Sequence, residues 1–363
     1  MKIKERLSPK YVYLSSLIAV YVLYVFVLYG FIRGNFGATF SPVAPDSPNY
    51  ICRALDFANL NQGSINEIMS QITSYFRNQV EESLSCGPVP LLYQSRILLP
   101  FLISLFTVFG SFWTLFLPTV LLALGSIFLW WKLTNSHVAQ LGTFGIIVGT
   151  APWLSPHFGG HVFLVMTEGP LIFISLCILV SAKLRVHNSI YFFLLFVSST
   201  LGIINRQSWP IIATFLGISI VLRFNIVRKL LVTLVFCSTI IWCFIQNALL
   251  TDSISESISF SKLPDIVYGI RMGIVGDMTH LFQFFDIPGM IVVLGMGVVF
   301  LKVQKIEYLV ASALLLFVSL YSQGGIYLYD GTFSQNWRYY VTNGFFAIYS
   351  LLQYLQPRTR ISA

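Results

Sequence analysis

The sequence predicts an all-α polytopic membrane protein of about ten transmembrane helices, with an outer-face loop of interfacial helices after the first span. Hydrophobic residues make up 56% of the 363 residues and charged residues only 10%, with a mean hydropathy of +0.77. This composition excludes an ordinary soluble globular protein. Apolar runs long enough to cross a bilayer also recur along the whole chain, so residues 1–363 are predicted to form a single integral membrane domain.

The first apolar run is followed by the only long polar segment of the chain. Residues 11–32 have full spanning length and no small-residue cleavage site after them, which predicts a permanent span rather than a signal peptide. A polar loop as long as 33–96 is unusual unless it has a function. The next apolar run is too long for one crossing and is divided near residue 110, so 97–109 is predicted to lie in the outer interface. The extracytoplasmic loop is therefore expected to cover 33–110.

Further spans are predicted in the rest of the chain, at 112–131, 138–154, 169–182, 190–205, 209–222, 230–250, 287–301, 306–323 and 341–355. The outer face then also receives the segment 153–168, a second long loop at 251–286, the loop 324–340 and a short turn at residues 205–207.

The charges sort by side under this arrangement. Cytoplasmic segments receive fourteen of the 22 Lys and Arg but only two of the 14 acidic residues. Because Lys and Arg accumulate in cytoplasmic loops, both termini are predicted to be cytoplasmic. The net charge of +8 would suggest nucleic acid in a soluble protein, but here it reflects topology, and no nucleic-acid partner is expected. The compact size favours a bacterial inner membrane as the location.

Two cysteines, Cys52 and Cys86, lie in the first outer loop. They form a disulfide if that compartment is oxidising, and they are free thiols otherwise, since sequence alone cannot test the geometry. The remaining cysteines fall inside predicted spans, where small apolar filler is expected.

Acidic and basic residues recur at the outer ends of the spans. The first loop reads Asp46-x-x-x-Tyr50-x-x-x-Ala54 and closes as Pro88-x-Pro90-x-x-Tyr93-x-x-Arg96-x-x-x-Pro100. An acid then precedes a span in Thr167-Glu168-Gly169-Pro170, and a basic residue follows one in Asn205-Arg206-Gln207-Ser208-Trp209-Pro210. This layout resembles the GT-C superfamily of membrane glycosyltransferases, which use polyprenyl-phosphate-linked sugars. The resemblance rests on loop order and spacing, because the individual motifs are weak.

The resemblance implies an inverting glycosyltransferase that moves a sugar from a polyprenyl-phosphate donor to a lipid, glycan or protein at the extracytoplasmic face. Asp46 would then be the general base and Glu168 a second catalytic acid, although many relatives carry Asp where Glu168 stands. The expected substrate or phosphate contacts are Arg96, Arg206, Arg338, Tyr50, His157 and His161.

The chemistry requires these residue types. A carboxylate near the acceptor hydroxyl removes its proton, which typically contributes ~10²–10⁴-fold to the rate. The oxocarbenium-like transition state gains from nearby negative charge, and the departing phosphate needs Arg or Lys. An outer face with Asp46, Glu168, Arg206 and Arg338 above apolar spans supplies these groups together with membrane lipid around them.

Each of these residues also has a structural interpretation. Asp46 lies in strong turn sequence, Glu168 suits a helix N-terminus, and arginines at span ends extend to the interface. The pair His157 and His161, with Glu168, suggests a divalent metal, which some enzymes of the superfamily use. The glycines between the histidines argue against a rigid pair of ligands, so no metal site is assigned, and a divalent metal stays open as a cofactor.

Two other functions remain open. A transporter or flippase of lipid-linked or polar solutes would place ionisable groups near the membrane midplane. The predicted spans are nearly free of such groups, which favours chemistry at the outer face. A non-catalytic polysaccharide-assembly subunit would keep the fold without activity, and only the acids distinguish it from an enzyme.

Overall fold

The computed structural model describes residues 8–28, 47–75, 86–87, 96–109, 115–184, 188–205, 271, 286–303 and 341–356. Regular secondary structure in these residues is helical throughout, without a strand. The helices are α1 Pro9–Leu28, α2 Ser47–Phe57, α3 Gln62–Tyr75, α4 Leu98–Ser104, α5 Leu117–Leu154, α6 Glu168–Lys183, α7 Asn188–Asn205, α8 Ile287–Val298 and α9 Val341–Tyr354. Short 3₁₀ turns cover Thr107–Phe109 and Gly159–Phe163, and π-helical turns cover Val299–Val303.

Two of the described helices, α1 and α5, are long and apolar enough to cross a membrane. Shorter apolar stretches lie in α6, α7 and α8, which fall below the ~20 residues that a single crossing needs. The prediction of about ten spans therefore exceeds what these helices show by length and composition. The predicted spans 209–222, 230–250 and 306–323 lie outside the described residues, as does most of the predicted loop 251–286.

Several predicted boundaries agree with the structure. Helices α6, α7, α8 and α9 begin and end within a few residues of the predicted apolar segments. The first loop contains α2 and α3, as expected for a helical loop. Helix α4 has seven residues and is therefore ~10 Å long, too short to cross a bilayer, which agrees with the prediction that 97–109 is not a full span.

The break between the second and third predicted spans lies elsewhere than expected. A loop was predicted at 132–137, but these residues are helical, and the departure from helical geometry falls at Gly142 (φ 59°, ψ −136°). The chain reverses direction at Gly142. A hydrogen bond across the turn shows this, since the Nε1 of Trp130 donates to the carbonyl of Gly149 at 2.9 Å. A straight helix would separate these two residues by ~28 Å.

The reversal at Gly142 needs glycine for steric reasons. A positive φ with this ψ is open to glycine and strained for other residues. The two arms then meet closely, because a Cβ added at Gly145 would lie 2.8 Å from the carbonyl oxygen of Val138. The glycines thus place the turn five residues after the end of the loop predicted at 132–137.

The contacts divide the chain into two compact units. The first unit comprises Met1–Val20, Ile127–Gly160 and Tyr268–Ala363, and the second comprises Tyr21–Ser126 and His161–Val267. In the first unit, the ring of Phe345 packs edge-on against Trp130 and Trp153, with centroids 5.3 and 4.8 Å away. The phenol oxygen of Tyr13 makes hydrogen bonds with the hydroxyl of Thr134 and the carbonyl of Gly149.

In the second unit, helix α2 is amphipathic and packs its apolar face against α4. Its buried residues include Tyr50, Ile51 and Leu55. The helix ends where Asn59 adopts a left-handed conformation (φ 53°), a common helix stop for Asn. Helix α3 then begins with a cap, since the Asn61 side chain accepts from the Ser64 backbone N–H at 2.9 Å. Helices α6 and α7 pack against each other in the same unit.

Candidate functional site

The candidate site in the second unit is built around the segment that leads into α6. Ser47, the first residue of α2, is fully buried and donates from its hydroxyl to the carbonyl of Val165 at 2.9 Å. Val165 lies outside the helices, so this bond satisfies a buried carbonyl that no helical N–H reaches. The start of α2 is thereby held against the residues that precede Glu168.

Glu168 is the first residue of α6, and its side chain is only 1% exposed. A carboxylate at a helix N-terminus is favoured by the helix dipole. The next residue, Gly169, is held so close that an added Cβ would lie 2.9 Å from the carbonyl oxygen of Val162. Pro170 follows within the first turn, where its missing N–H costs no helical bond. The sequence Thr167-Glu168-Gly169-Pro170 thus begins a helix with its acid buried.

Asn205, the last residue of α7, lies against the same segment and is fully buried. Its side-chain Nδ2 donates to the carbonyl of Thr167 at 2.8 Å. That carbonyl also accepts the backbone N–H of Leu171 at 3.1 Å. The other half of the amide, Oδ1, is buried and receives no hydrogen bond from the part of the chain that the structure describes.

Tyr50 and Arg96 form a second polar contact in this unit. The Nη1 of Arg96 donates to the phenol oxygen of Tyr50 at 2.7 Å. Tyr50 is fully buried and Arg96 is half-buried, so the phenol fixes one end of the guanidinium. The same helix α2 carries Cys52, which forms a disulfide with Cys86 across a Cα–Cα distance of 5.5 Å.

Three of the predicted site residues, Asp46, Arg206 and Arg338, lie outside the described residues. Ser47 and Asn205 are the described chain neighbours of the first two. Both hydrogen-bond to carbonyls within 165–167, immediately before Glu168. Ser47 and Asn205 therefore both contact the segment that leads into Glu168, the third predicted residue.

The two predicted histidines have different surroundings. His157 belongs to the first unit, where its Nε2 lies 3.9 Å from Oδ2 of Asp286. Burial lowers the pKa of the His157 imidazole, and the charge of Asp286 partly opposes this shift. His161 belongs to the second unit and is half-buried. Over the described ranges, no three His, Cys, Asp or Glu side chains are grouped as a metal ion would require.

Asp286 is a structural residue that the sequence prediction overlooked. Its side chain caps α8 by accepting the backbone N–H of Gly289, and its Oδ2 accepts the hydroxyl of Ser155 at 3.0 Å. The signal was present in Asp286-Ile287-Pro288-Gly289, since an Asp followed by Pro marks a helix start. The bond to Ser155 joins residues 131 positions apart and has no local signal.

Asn205 is a second residue that the sequence analysis did not predict, because the charge of the adjacent Arg206 is the stronger signal for a phosphate site. A helix-terminal Asn most often serves as a local cap. Here its amide reaches a distant segment instead.

Comparison of the chain with family models, with curated proteins and with solved structures finds no match. The possible chemistry of the site is therefore inferred from the side chains that form it. A buried carboxylate, a buried amide and an arginine fixed by a phenol provide a base or charge stabiliser, a hydrogen-bonding group and a cation.

Proposed function

We propose that this chain is a polytopic membrane glycosyltransferase of the GT-C type. It moves a sugar from a polyprenyl-phosphate donor to a lipid, glycan or protein acceptor at the extracytoplasmic face of a bacterial inner membrane. The observation that carries the proposal is the pair of hydrogen bonds from Ser47 and Asn205 to the segment before buried Glu168. These bonds hold the described chain neighbours of Asp46 and Arg206 against the segment before Glu168, which supports the proposal.

The exposed apolar surface supports a membrane location. In α1, the side chains of Ile18, Leu23 and Phe26 are 45%, 52% and 44% exposed. The core helix of a soluble protein would bury such residues, whereas a helix that faces lipid exposes them. In α5, Phe128 and Phe144 are exposed in the same way, so the feature is not confined to the N-terminus. The full arrangement of about ten spans, with both termini cytoplasmic, belongs to this proposal.

The proposed reaction is a direct displacement at the anomeric carbon. An acceptor hydroxyl attacks that carbon while Asp46 takes its proton, and the bond from the carbon to the phosphate oxygen breaks. The polyprenyl phosphate leaves with that bond's electron pair, and the configuration of the sugar inverts. Glu168 supplies negative charge to the oxocarbenium-like transition state.

The basic residues serve the departing phosphate. Arg96 donates to the phenol of Tyr50, and we assign it with Arg206 to the charge that develops on the phosphate. Tyr50 holds the guanidinium of Arg96 in one orientation, while His161 of the same unit contacts substrate. The mechanism uses only carboxylates and cations of the chain.

The test is sugar transfer by the full-length protein in proteoliposomes supplied with radiolabelled polyprenyl-phosphate sugars. The variants are Asp46→Asn and Glu168→Gln, each of which removes a charge with little change of volume. We expect each to lower the transfer rate by ~10²-fold or more, because each removes a group that acts in the transition state.

Asp56→Asn is the matched control, because Asp56 is an acid of the same loop that lies on α2 and is exposed. It should transfer at the wild-type rate. Equal transfer by wild type and Asp46→Asn would remove Asp46 from the mechanism. Absence of transfer with every donor, together with movement of the lipid-linked sugar across the bilayer, would favour a flippase instead.

A further inference from the structure

Two bonds attach the chain around Arg96 to the same part of α2. The Nη1 of Arg96 donates to the phenol of Tyr50 at 2.7 Å, and Cys86 is joined by the disulfide to Cys52. Tyr50 and Cys52 lie within one turn of α2, and both are buried. The segment from Cys86 to Arg96 therefore begins and ends on one turn of this helix.

The disulfide shortens the path along the chain between the two hydrogen-bonding side chains. Tyr50 and Arg96 are 46 positions apart, and the disulfide connects two cysteines that are 34 positions apart within that interval. With the bridge closed, 46 less 34 leaves a path of 12 positions. Loop-closure entropy scales with the 3/2 power of loop length, so the closed bridge favours the contact by ~7-fold. The packing of α4 against α2 favours the same contact, so opening the bridge should loosen it without abolishing it.

The two sulfurs differ in exposure. Cys52 is 5% exposed on the buried face of α2, whereas Cys86 is half-buried. A thiolate of an external dithiol therefore attacks the Sγ of Cys86, and the electron pair of the broken bond leaves on the Sγ of Cys52, which takes a proton. The second thiol of the reductant then attacks the mixed disulfide and releases the Cys86 thiol. The dithiol is oxidised to a disulfide, while two electrons and two protons pass to the two cysteines.

We propose that the Cys52–Cys86 disulfide is a redox control of the donor site. The oxidised bridge holds Arg96 on Tyr50, where the guanidinium binds the phosphate of the lipid donor, and reduction by a dithiol weakens that binding. This inference rests on the proposed function, which assigns Arg96 to the phosphate. An oxidising extracytoplasmic compartment keeps the bridge closed, so the site reaches its full affinity only after the first loop has crossed the membrane.

The test measures equilibrium binding of undecaprenyl phosphate to the full-length protein in detergent, with and without dithiothreitol. This lipid reports on the phosphate contact alone, because it carries no sugar. We expect reduction of the wild type to weaken binding several-fold, with ~7-fold as the upper limit. Tyr50→Phe removes only the phenol oxygen, so its binding should be weaker at the start. Reduction should then change it little, because Arg96 has lost the contact that the bridge favours.

Cys177→Ser is the matched control for the reductant, because Cys177 is a free thiol in α6 of the same unit. It should respond to dithiothreitol as the wild type does. The double variant Cys52→Ser/Cys86→Ser should not respond, and it should bind as the reduced wild type does. The unfolding midpoint is measured for every protein in both redox states, and binding is compared well below it, so that unfolded protein is not counted as lost affinity.

A loss of affinity on reduction that is equal in Tyr50→Phe and in the wild type means that the bridge serves stability alone, and it overturns the redox control. Wild-type binding that Arg96→Gln weakens but dithiothreitol leaves unchanged also overturns it, while the glycosyltransferase proposal stands. Failure of the wild type to bind the lipid phosphate in either redox state overturns both.

Discussion

The two units use their buried hydrogen bonds for different purposes. In the first unit, the Tyr13 phenol bonds to Thr134 and Gly149, and Asp286 accepts from Ser155 and Gly289. In the second unit, the Ser47 hydroxyl and the Asn205 amide donate to the carbonyls of Val165 and Thr167. Buried hydrogen bonds of both kinds stabilise a fold, but those of the second unit also hold the segment that precedes Glu168.

The means of fixing each region also differ. The first unit relies on a glycine turn at Gly142 and on a capped helix. The second unit ties α2 by a disulfide and by the Ser47 hydroxyl. Substitutions in the first unit should therefore change stability, and substitutions in the second should change binding or activity as well.

The largest stability effect is expected from the disulfide. Cys86→Ser opens a bridge between residues 34 positions apart, and loop-closure entropy predicts a loss of roughly 3–4 kcal/mol in the free energy of unfolding. Transfer should fall with it, because α2 carries Tyr50 and begins at Ser47. Fluorescence-monitored unfolding in detergent measures the first effect, and the proteoliposome assay measures the second.

Cys177→Ser is the control for Cys86→Ser, since Cys177 is a free thiol in α6 of the same unit. A reducing agent should lower the stability of the wild type and of Cys177→Ser, while leaving Cys86→Ser unchanged. If the agent affects all three proteins alike, the bridge is not what stabilises the unit.

Particular residues show which features of the fold and the site the sequence predicts. The sequence predicts the helical class from its composition and a helix start near Glu168 from local start signals. It also offers Cys52 and Cys86 as a possible disulfide, because both lie in one loop. The turn at Gly142 lies after the loop predicted at 132–137, because it depends on the backbone conformation of a glycine, which the apolar pattern does not indicate. The contacts Ser47–Val165 and Asn205–Thr167 depend on three-dimensional packing, which no local pattern contains.

A smaller effect is expected from Asp286→Ala. The change removes the cap of α8 and the acceptor for Ser155, which should cost about 2 kcal/mol in the free energy of unfolding. Binding of a lipid-linked sugar should stay at the wild-type level, because this network lies in the first unit and is assigned no ligand. Unfolding and binding measured on one preparation test both statements. Asp56→Ala, which removes an exposed acid, should change neither quantity.

The smallest effect is a pH dependence of stability carried by His157. Burial lowers the pKa of its imidazole from the ordinary value of 6.5, so the folded protein prefers the neutral ring. As the pH falls below 6.5, the unfolded chain takes up the proton first, and stability should decrease toward the folded pKa. Above 6.5 both states are neutral and this contribution is constant. His157→Gln should remove it, measured as the difference in Tm between pH 7.5 and pH 5.5. Asp286→Ala should enlarge it, because the carboxylate opposes the shift that burial causes. If Asp286→Ala instead reduces the difference, the ion pair rather than burial governs the histidine, and the first unit contains a pH-sensitive contact instead of a fixed structural network.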